Sequence, residues 1–226
     1  MSPRRLGPIV ATAATETIAT LRSAAWPVAL LRPLPRPREG DFPPVVLVHG
    51  YLGHPAMWRP LIRRLYRRGH SQVAAVGYPS TRRTLPQIVE AIDATVRAQG
   101  EDVVLVGHSL GAVACRAYVK AFDGAQHVLR LVSVGGPHAG TALYRFAPPG
   151  LRDVLAPDSI WVRRLAEGPE PVPTTVVRAR YDHQVLPPVR ARLDGVSEVV
   201  IDRHGHNGLL WHRTAHHAII DAIEGR

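Results

Sequence analysis

Short, uninterrupted apolar runs recur along this chain, and most are followed by a stretch with the apolar spacing of an amphipathic helix. The run 45–48 reads Val-Val-Leu-Val, which is typical of a strand buried on both faces of a parallel sheet. Strands that alternate with helices are joined by right-handed crossovers. The pattern therefore predicts an α/β fold with a mostly parallel central sheet and helices on both faces. The predicted strands are 45–48, 73–76, 102–106, 129–134, 174–179 and 198–201, and the predicted helices are 57–68, 84–100, 110–122 and 214–223.

A serine follows the third of these strands at a tight turn. Residues 107–111 read Gly-His-Ser-Leu-Gly and stand between a predicted strand and a predicted helix. Such a turn holds the serine in a strained conformation, with its hydroxyl at the carboxyl end of the sheet. Gly107 and Gly111 are required because a side chain at either position would collide across the turn. Ser109 is therefore a candidate nucleophile with His108 beside it, although the motif alone also fits a serine that caps a helix.

The first strand runs into His49, Gly50 and Tyr51, a loop that can serve the same chemistry. Attack by a hydroxyl on a carbonyl group leaves a negative charge on the carbonyl oxygen, which needs hydrogen-bond donors. In this arrangement the backbone amides of Tyr51 and of Leu110, the residue after the serine, form the oxyanion hole. His49 is assigned to holding this loop rather than to proton transfer, and Gly50 is assigned to the same supporting role.

The hydroxyl also needs a base, which is expected on a loop after a late strand. An imidazole, with an ordinary pKa of about 6.5, can both take and return a proton near neutral pH. Residues 203–210 contain His204 and His206. His206 is favoured because the glycine before it and the turn after it let the ring reach the end of the sheet, and His204 is the alternative. Surface or hydrogen-bonded structural roles are expected for the other candidate histidines, which are His108, His183, His216 and His217.

The base in turn needs a carboxylate that fixes its tautomer. Asp182 lies just after the strand 174–179 and before the histidine loop, which produces the chain order serine, acid, histidine. A structural turn is the alternative role for Asp182. The competing acids are Asp153, Asp158, Asp194 and Asp202.

These motifs together resemble the α/β-hydrolase superfamily, and specifically its small bacterial lipases and esterases of the triacylglycerol lipase type. The likeness covers nearly all of residues 45–223 and is strongest at 49–51, 107–111, 181–195 and 205–210. It implies that Ser109, Asp182 and His206 form a catalytic triad and that Tyr51 and Leu110 form the oxyanion hole. The implied activity is that of a serine ester hydrolase, without a cofactor or metal, which forms a covalent acyl-enzyme from lipid-like or medium-chain esters.

Other functions fit the same residues. An acyltransferase or a thioesterase would use the same triad, because the triad does not specify the acceptor of the acyl group. A binding protein that has the hydrolase fold without activity is a third hypothesis. Nucleic-acid binding is not expected: the net charge is +10, but the basic residues, of which Lys120 is the only lysine, are scattered with no run longer than two. Cys115, the single cysteine, is expected to be a small buried side chain.

Two segments depart from the strand and helix alternation. Residues 141–173 are longer than a connection requires and are expected to form a lid-like or cap-like insert that lines the acyl channel. Residues 1–40 are interpreted as an N-terminal extension that ends in a linker rich in proline and arginine at 32–38, before a hydrolase domain at 41–226.

The extension also bears on location. Pro8 and Glu16 interrupt the only stretch that resembles the apolar core of a secretory signal. A short amphipathic segment that packs on the domain or rests on a membrane surface is therefore favoured. This interpretation favours a cytoplasmic or membrane-peripheral protein and leaves secretion open. No apolar run reaches the roughly 18 to 20 residues of a spanning helix.

Overall fold

The computed structural model describes residues 3–30, 33–37 and 40–226. Within these residues the strands form one six-stranded sheet in which all neighbours pair in parallel. The prediction of a parallel sheet is confirmed, and every predicted strand occurs, with bounds that differ by at most two residues. The strands are β1 (Val45–Val48), β2 (Val73–Val76), β3 (Val103–His108), β4 (Val128–Val134), β5 (Thr174–Ala179) and β6 (Ser197–Ile201), in the order β2-β1-β3-β4-β5-β6.

The helices of the same residues cover both faces of the sheet. They are α1 (Pro3–Ala24), α2 (Trp26–Leu30), α3 (Arg59–Arg68), α4 (Leu85–Gln99), α5 (Leu110–Ala121), α6 (Pro149–Leu155), α7 (Ile160–Ala166) and α8 (Arg213–Glu224). Successive side chains of a strand point to opposite faces. Val46 and Leu105 accordingly pack in the core beneath α4 and α5, whereas Leu47 and Val104 pack in the core beneath α3 and α8. Burial of each such side chain contributes roughly 1.5–3 kcal/mol.

Local sequence sets where the helices begin and end. The Thr84 amide donates to Oε1 of Gln87 at 3.1 Å, as in a capping box, and α4 begins at the next residue. The helix predicted from residue 57 instead begins at Arg59, after a 3₁₀ turn at Pro55–Trp58. Pro60 explains the difference, because it has no amide hydrogen to bond to a carbonyl four residues earlier and is tolerated only in the first helical turn.

The segment 141–173 forms α6 and α7, which pack against α5. Leu151 and Leu165 are buried in the core cluster beneath α4 and α5. Arg116 of α5 donates to the Glu170 carboxylate at 2.7 and 2.9 Å, and both side chains are nearly fully buried. These contacts make the segment part of the core. The structure does not confirm a lid in residues 141–173.

The N-terminal helix α1 packs on the part of the chain that contains the candidate histidines. Its residues Thr12, Glu16 and Ala19 are buried and lie on one helical face, and the Thr15 hydroxyl donates to the Arg203 carbonyl oxygen at 3.0 Å. The predicted amphipathic segment therefore packs on the domain, and its contact with a membrane stays a prediction.

The remaining predictions for the extension are only partly covered by the structure. Residues 32 and 38 of the predicted linker lie outside the described residues, and the domain boundary near residue 40 stays a prediction. In the described part of the chain, no helix combines the length and the hydropathy that a membrane span requires.

Candidate active site

The turn between β3 and α5 presents Ser109 at the carboxyl end of the sheet. Ser109 has φ 55° and ψ −123°, a backbone conformation that non-glycine residues rarely adopt. A Cβ at Gly107 would lie 2.6 Å from the Ala112 Cα, and one at Gly111 would lie 2.5 Å from the Val48 carbonyl oxygen. Glycine is therefore required on both sides of the serine.

Asp182 and His206 form a buried hydrogen-bonded pair. His206 Nδ1 donates to Asp182 Oδ2 at 2.8 Å, and both side chains are about 1% exposed. The other carboxylate oxygen, Oδ1, accepts from the backbone amides of Gln184 and Val185, each at 2.8 Å. These three hydrogen bonds fix the carboxylate, which in turn fixes the orientation of the imidazole and places its proton on Nδ1.

The second ring nitrogen of His206 is free to act as a base. Nε2 is buried and has no hydrogen-bond partner among the described residues. Burial alone lowers the pKa of His206, but the Asp182 carboxylate and, to a smaller extent, Glu16 outweigh it, so that the pKa lies above its ordinary value. Burial likewise opposes ionisation of Asp182, but His206 and the two backbone amides hold its pKa below the usual range. The arrangement therefore favours a carboxylate next to an imidazole that can accept a proton.

The loop after β1 is held by contacts of its histidine. The His49 ring stacks on Tyr78 at a centroid distance of 4.1 Å, and its Nδ1 donates to the Gly50 carbonyl oxygen at 2.9 Å. The Tyr78 hydroxyl donates to the His49 carbonyl oxygen, and burial lowers the pKa of His49 to about 4. The structure thus keeps His49 neutral and hydrogen-bonded within the loop that carries Tyr51.

The remaining histidines are either exposed or engaged elsewhere. His108 is buried and donates from Nε2 to the His206 carbonyl oxygen at 3.2 Å, and burial lowers its pKa to about 3. His216 donates to the Leu210 carbonyl oxygen at 2.8 Å, while His183 and His217 are exposed. His204, the alternative base, stacks on His212 instead.

The competing acids lie apart from the histidine. Asp153, Asp158 and Asp194 are exposed, and Asp202 is exposed and paired with Arg180. Asp182 alone of the five candidate acids is buried against His206.

A cavity of about 420 Å³ joins the serine and the histidine. Its lining includes Ser109, His108 and His206, together with Gly50 and Tyr51 of the loop after β1. Apolar surface comes from Leu52 and Met57, and the rest of the lining is Gly53, Gln184, Asn207 and, from α1, Thr20, Ser23 and Ala24. No residue of the insert 141–173 lines the cavity, so α1 occupies the position that was expected for the insert.

Glu16 and the cavity-lining residues of α1 are the functional candidates that the sequence analysis missed. Glu16 is the only acidic residue in the first 38 positions and lies in the middle of a stretch of small and apolar residues. An isolated acid in such surroundings was the available signal. Its partners, the backbone amides of Asn207 and Gly208, are about 190 positions away along the chain, and no local pattern points to them.

A metal centre has no donor set in the described ranges, since no group of three or more histidine, cysteine, aspartate or glutamate side chains could hold an ion there.

The model of the palmitoyl protein thioesterase family matches residues 44–181. The matched segment includes Ser109 and ends one residue before Asp182. No curated protein matches the chain at a significant level.

Solved structures of lipolytic and related hydrolases share the architecture. The Bacillus licheniformis lipase BlEst2, in its mature form, superposes with a TM-score of 0.64 at 16% identity, over 85% of this chain and 96% of its own. A serine hydrolase involved in carbazole degradation has a TM-score of 0.58 at 20% identity, over 84% and 93%. A membrane phospholipase A, described as a bacterial virulence factor, has a TM-score of 0.58 at 18% identity, over 84% and 82%. At these identities the likeness shows the fold alone.

Proposed function

Because the chain belongs to the palmitoyl protein thioesterase family and has the α/β-hydrolase fold, we propose that it is a serine hydrolase that cleaves carboxylic esters through a covalent acyl-enzyme. The proposed substrates carry lipid-like or medium-chain acyl groups. The observation that carries the proposal is the buried pair of Asp182 and His206: Nε2 of His206 has no partner among the described residues, and His206 lines one cavity with Ser109.

In the proposed first half-reaction, Ser109 Oγ attacks the ester carbonyl carbon while its proton passes to His206 Nε2. Asp182 stabilises the imidazolium that forms. The negative charge on the carbonyl oxygen is bound by the amides of Tyr51 and Leu110, and the second of these has no acceptor within α5 because it is the first amide of that helix. Each such donor is worth about a hundred- to a thousandfold in rate.

Loss of the alcohol completes the first half-reaction, and the second half-reaction then releases the acid. His206 returns its proton to the leaving alkoxide, which departs as an alcohol, and Ser109 keeps the acyl group. Water then attacks the acyl carbonyl carbon and gives up a proton to Nε2. Breaking the bond between the acyl carbon and Oγ returns that proton to Ser109 and frees the carboxylic acid. No external oxidant, reductant or metal is needed to balance these steps.

Thioester hydrolysis is a second candidate, and the family match favours it. The same acyl-enzyme forms from either substrate, but a thiolate leaves without needing a proton from His206, whereas an alkoxide needs one. A transferase would differ only in that an alcohol replaces water in the second half-reaction, and product analysis with added alcohol detects it.

Substrate pairs with the same acyl group, one oxygen ester and one thioester, test the proposal. We expect the oxygen ester to be hydrolysed, with kcat/KM rising from acetyl to medium-chain acyl groups. The reason is that Leu52, Met57 and Ala24 offer apolar surface in the cavity, and each fully buried methylene adds about 0.8 kcal/mol, or roughly fourfold in affinity.

The other outcomes of this assay are equally informative. A higher kcat/KM for the thioester at every chain length would favour the second candidate. Purified, folded protein that hydrolyses neither substrate would contradict the proposal and favour a binding protein with the hydrolase fold.

Asp182→Asn should lower kcat by about 10⁴-fold, because an amide no longer selects the tautomer with a free Nε2 and no longer stabilises the imidazolium. His206 must be neutral to accept a proton, and its raised pKa means that activity disappears on acidification at a higher pH than for an ordinary imidazole. Without the carboxylate, burial dominates, so the acid limb of the kcat/KM profile should move to lower pH. A pH series of initial rates measures both effects.

Asp202→Asn is the matched control, since Asp202 is exposed and paired with Arg180. Its kcat and its acid limb should equal those of the wild type. If the Asp202 variant lost activity and the Asp182 variant kept it, the assignment of the orienting acid would be wrong.

A further inference from the structure

Glu16 is a buried carboxylate that the proposed reaction does not use. Only 6% of the residue is exposed, although it belongs to the N-terminal helix α1 and is remote in sequence from every triad residue. Removing a carboxylate from water is costly unless hydrogen bonds replace the lost hydration. The hydrogen-bond partners of Glu16 therefore indicate its role.

Both oxygens of Glu16 bind the backbone next to His206. Oε1 accepts from the Asn207 amide at 2.7 Å, and Oε2 accepts from the Gly208 amide at 3.0 Å. These residues follow His206 directly and open the 3₁₀ turn Asn207–Leu210, whose first amides have no acceptor within the turn. On the other side of His206, a Cβ at Gly205 would lie 2.7 Å from Oε2. The carboxylate thus binds the backbone after the histidine and occupies the space that a side chain at the position before it would need.

Three neighbouring hydrogen bonds fix the position of α1 on this loop. Thr15 Oγ1 donates to the Arg203 carbonyl oxygen at 3.0 Å, and Asn207 Nδ2 donates to Thr20 Oγ1 at 3.0 Å. Trp211 Nε1 donates to Ser23 Oγ at 2.9 Å. Helix α1 is therefore hydrogen-bonded to the histidine loop from residue 203 to residue 211. These bonds fix the position of the helix and with it the position of the Glu16 carboxylate.

From these contacts we infer that Glu16 is a positioning residue for the imidazole of His206. Helix α1 therefore contributes to the active site. The inference rests on the proposed function, because it assigns to Glu16 the task of holding the general base. A displacement of about 1 Å at a reacting group can cost on the order of a hundredfold in rate. Loss of the two hydrogen bonds to the residues after His206 is therefore expected to lower the reaction rate.

The charge of Glu16 also affects His206, in addition to the hydrogen bonds that Glu16 makes next to it. The ionisable groups that face His206 are Asp182 from the loop after β5, His108 from the serine turn and Glu16 from α1, while His183 Nε2 lies 3.6 Å from Glu16 Oε1. Glu16 raises the pKa of His206, in addition to the larger effect of Asp182. Removal of the Glu16 charge should therefore make the protonated imidazole less stable.

Glu16→Gln tests the inference, since glutamine keeps the size of the side chain but turns one acceptor into a donor that faces a backbone amide. We expect kcat for a soluble aryl ester to fall by about tenfold to a hundredfold, with KM changed by less than about twofold. The acid limb of the kcat/KM profile should move to lower pH. The rate of labelling by a fluorophosphonate, which reports the first attack by Ser109, should fall by the same factor as kcat.

Thr17→Ala is the matched control. Thr17 lies next to Glu16 on α1, is exposed, and its hydroxyl donates to the Ala13 carbonyl oxygen of the same helix. This variant should keep the wild-type kcat, acid limb and labelling rate. A merely structural role of α1 would lower the melting temperature in Glu16→Gln without moving the acid limb.

Glu16→Asp provides the second arm, because it keeps the charge and shortens the reach. It should lower kcat while leaving the acid limb near its wild-type position, and it replaces the glutamine variant if that variant does not fold. A folded Glu16→Gln, or Glu16→Asp in its place, with kcat within about twofold of the wild type would overturn the inference. Full activity of Ser109→Ala would instead overturn the proposed function, so the two failures are distinguishable.

Discussion

Ser109→Ala should lower the turnover of a soluble aryl ester about a millionfold, as loss of the nucleophile does in triad hydrolases. Alanine has no oxygen that could attack the carbonyl carbon, and in the proposed reaction the amides of Tyr51 and Leu110 only stabilise the charge that such an attack creates. Steady-state hydrolysis and fluorophosphonate labelling both measure the loss, and labelling should disappear completely. The melting temperature should stay close to that of the wild type because the substitution removes one atom that lines a cavity.

Ser197→Ala is the matched control for this variant. Ser197 is exposed at the start of β6 and is not among the residues that line the cavity of Ser109. Its variant should retain wild-type turnover and full labelling. Turnover by Ser109→Ala at the wild-type rate would show that another group attacks the ester, and the proposed reaction would be wrong.

His206→Ala should be nearly as damaging, with kcat reduced by about a millionfold near neutral pH. Without the imidazole, no group accepts the Ser109 proton, and the Asp182 carboxylate loses its partner. Because the serine and the histidine act in one step of the proposed reaction, the double variant Ser109→Ala/His206→Ala should be no slower than either single variant. Single-turnover rates with an activated ester measure these differences.

His204→Ala is the control that decides between the two histidines of the loop. His204 is buried, stacks on His212 and is not part of the cavity lining. We expect its variant to melt at a lower temperature and to keep kcat within about tenfold of the wild type. A millionfold loss in His204→Ala, together with an active His206→Ala, would reverse the assignment of the base.

The parts of the fold that could be predicted are those with a local physical cause. The run Val45–Val48 is apolar at every position because both faces of a central parallel strand are covered, and the structure buries it completely. The serine turn is equally local, since glycines at 107 and 111 flank a residue whose φ is 55°. Ser109, Asp182 and the loop of His206 each follow a predicted strand, and the carboxyl ends of parallel strands share one edge of the sheet.

The surroundings of the cavity could not be predicted in the same way. The apolar residues of 141–173 indicate that the segment buries a face, and they do bury it, but against α5 rather than over Ser109. In α1 the pattern misleads, because the buried face carries Thr12 and Glu16 whereas Ile18 and Leu21 are 53% and 65% exposed. Burial of a polar side chain is favourable only when a partner satisfies its hydrogen bonds. For α1 that partner is distant in the chain, and the apolar periodicity of the sequence does not identify it.

By itself, the sequence determined the parallel sheet, the strained turn at Ser109 and the types of residue available for acyl transfer. These features depend on side-chain alternation, on glycine positions and on strand order, which act over a few residues or through one simple rule of topology. Only the tertiary structure decided that Asp182 rather than Asp202 meets His206, and that α1 rather than the insert lines the cavity. Both outcomes depend on hydrogen bonds between groups far apart in the chain, such as Glu16 and the amide of Asn207, which form only once the domain brings them together.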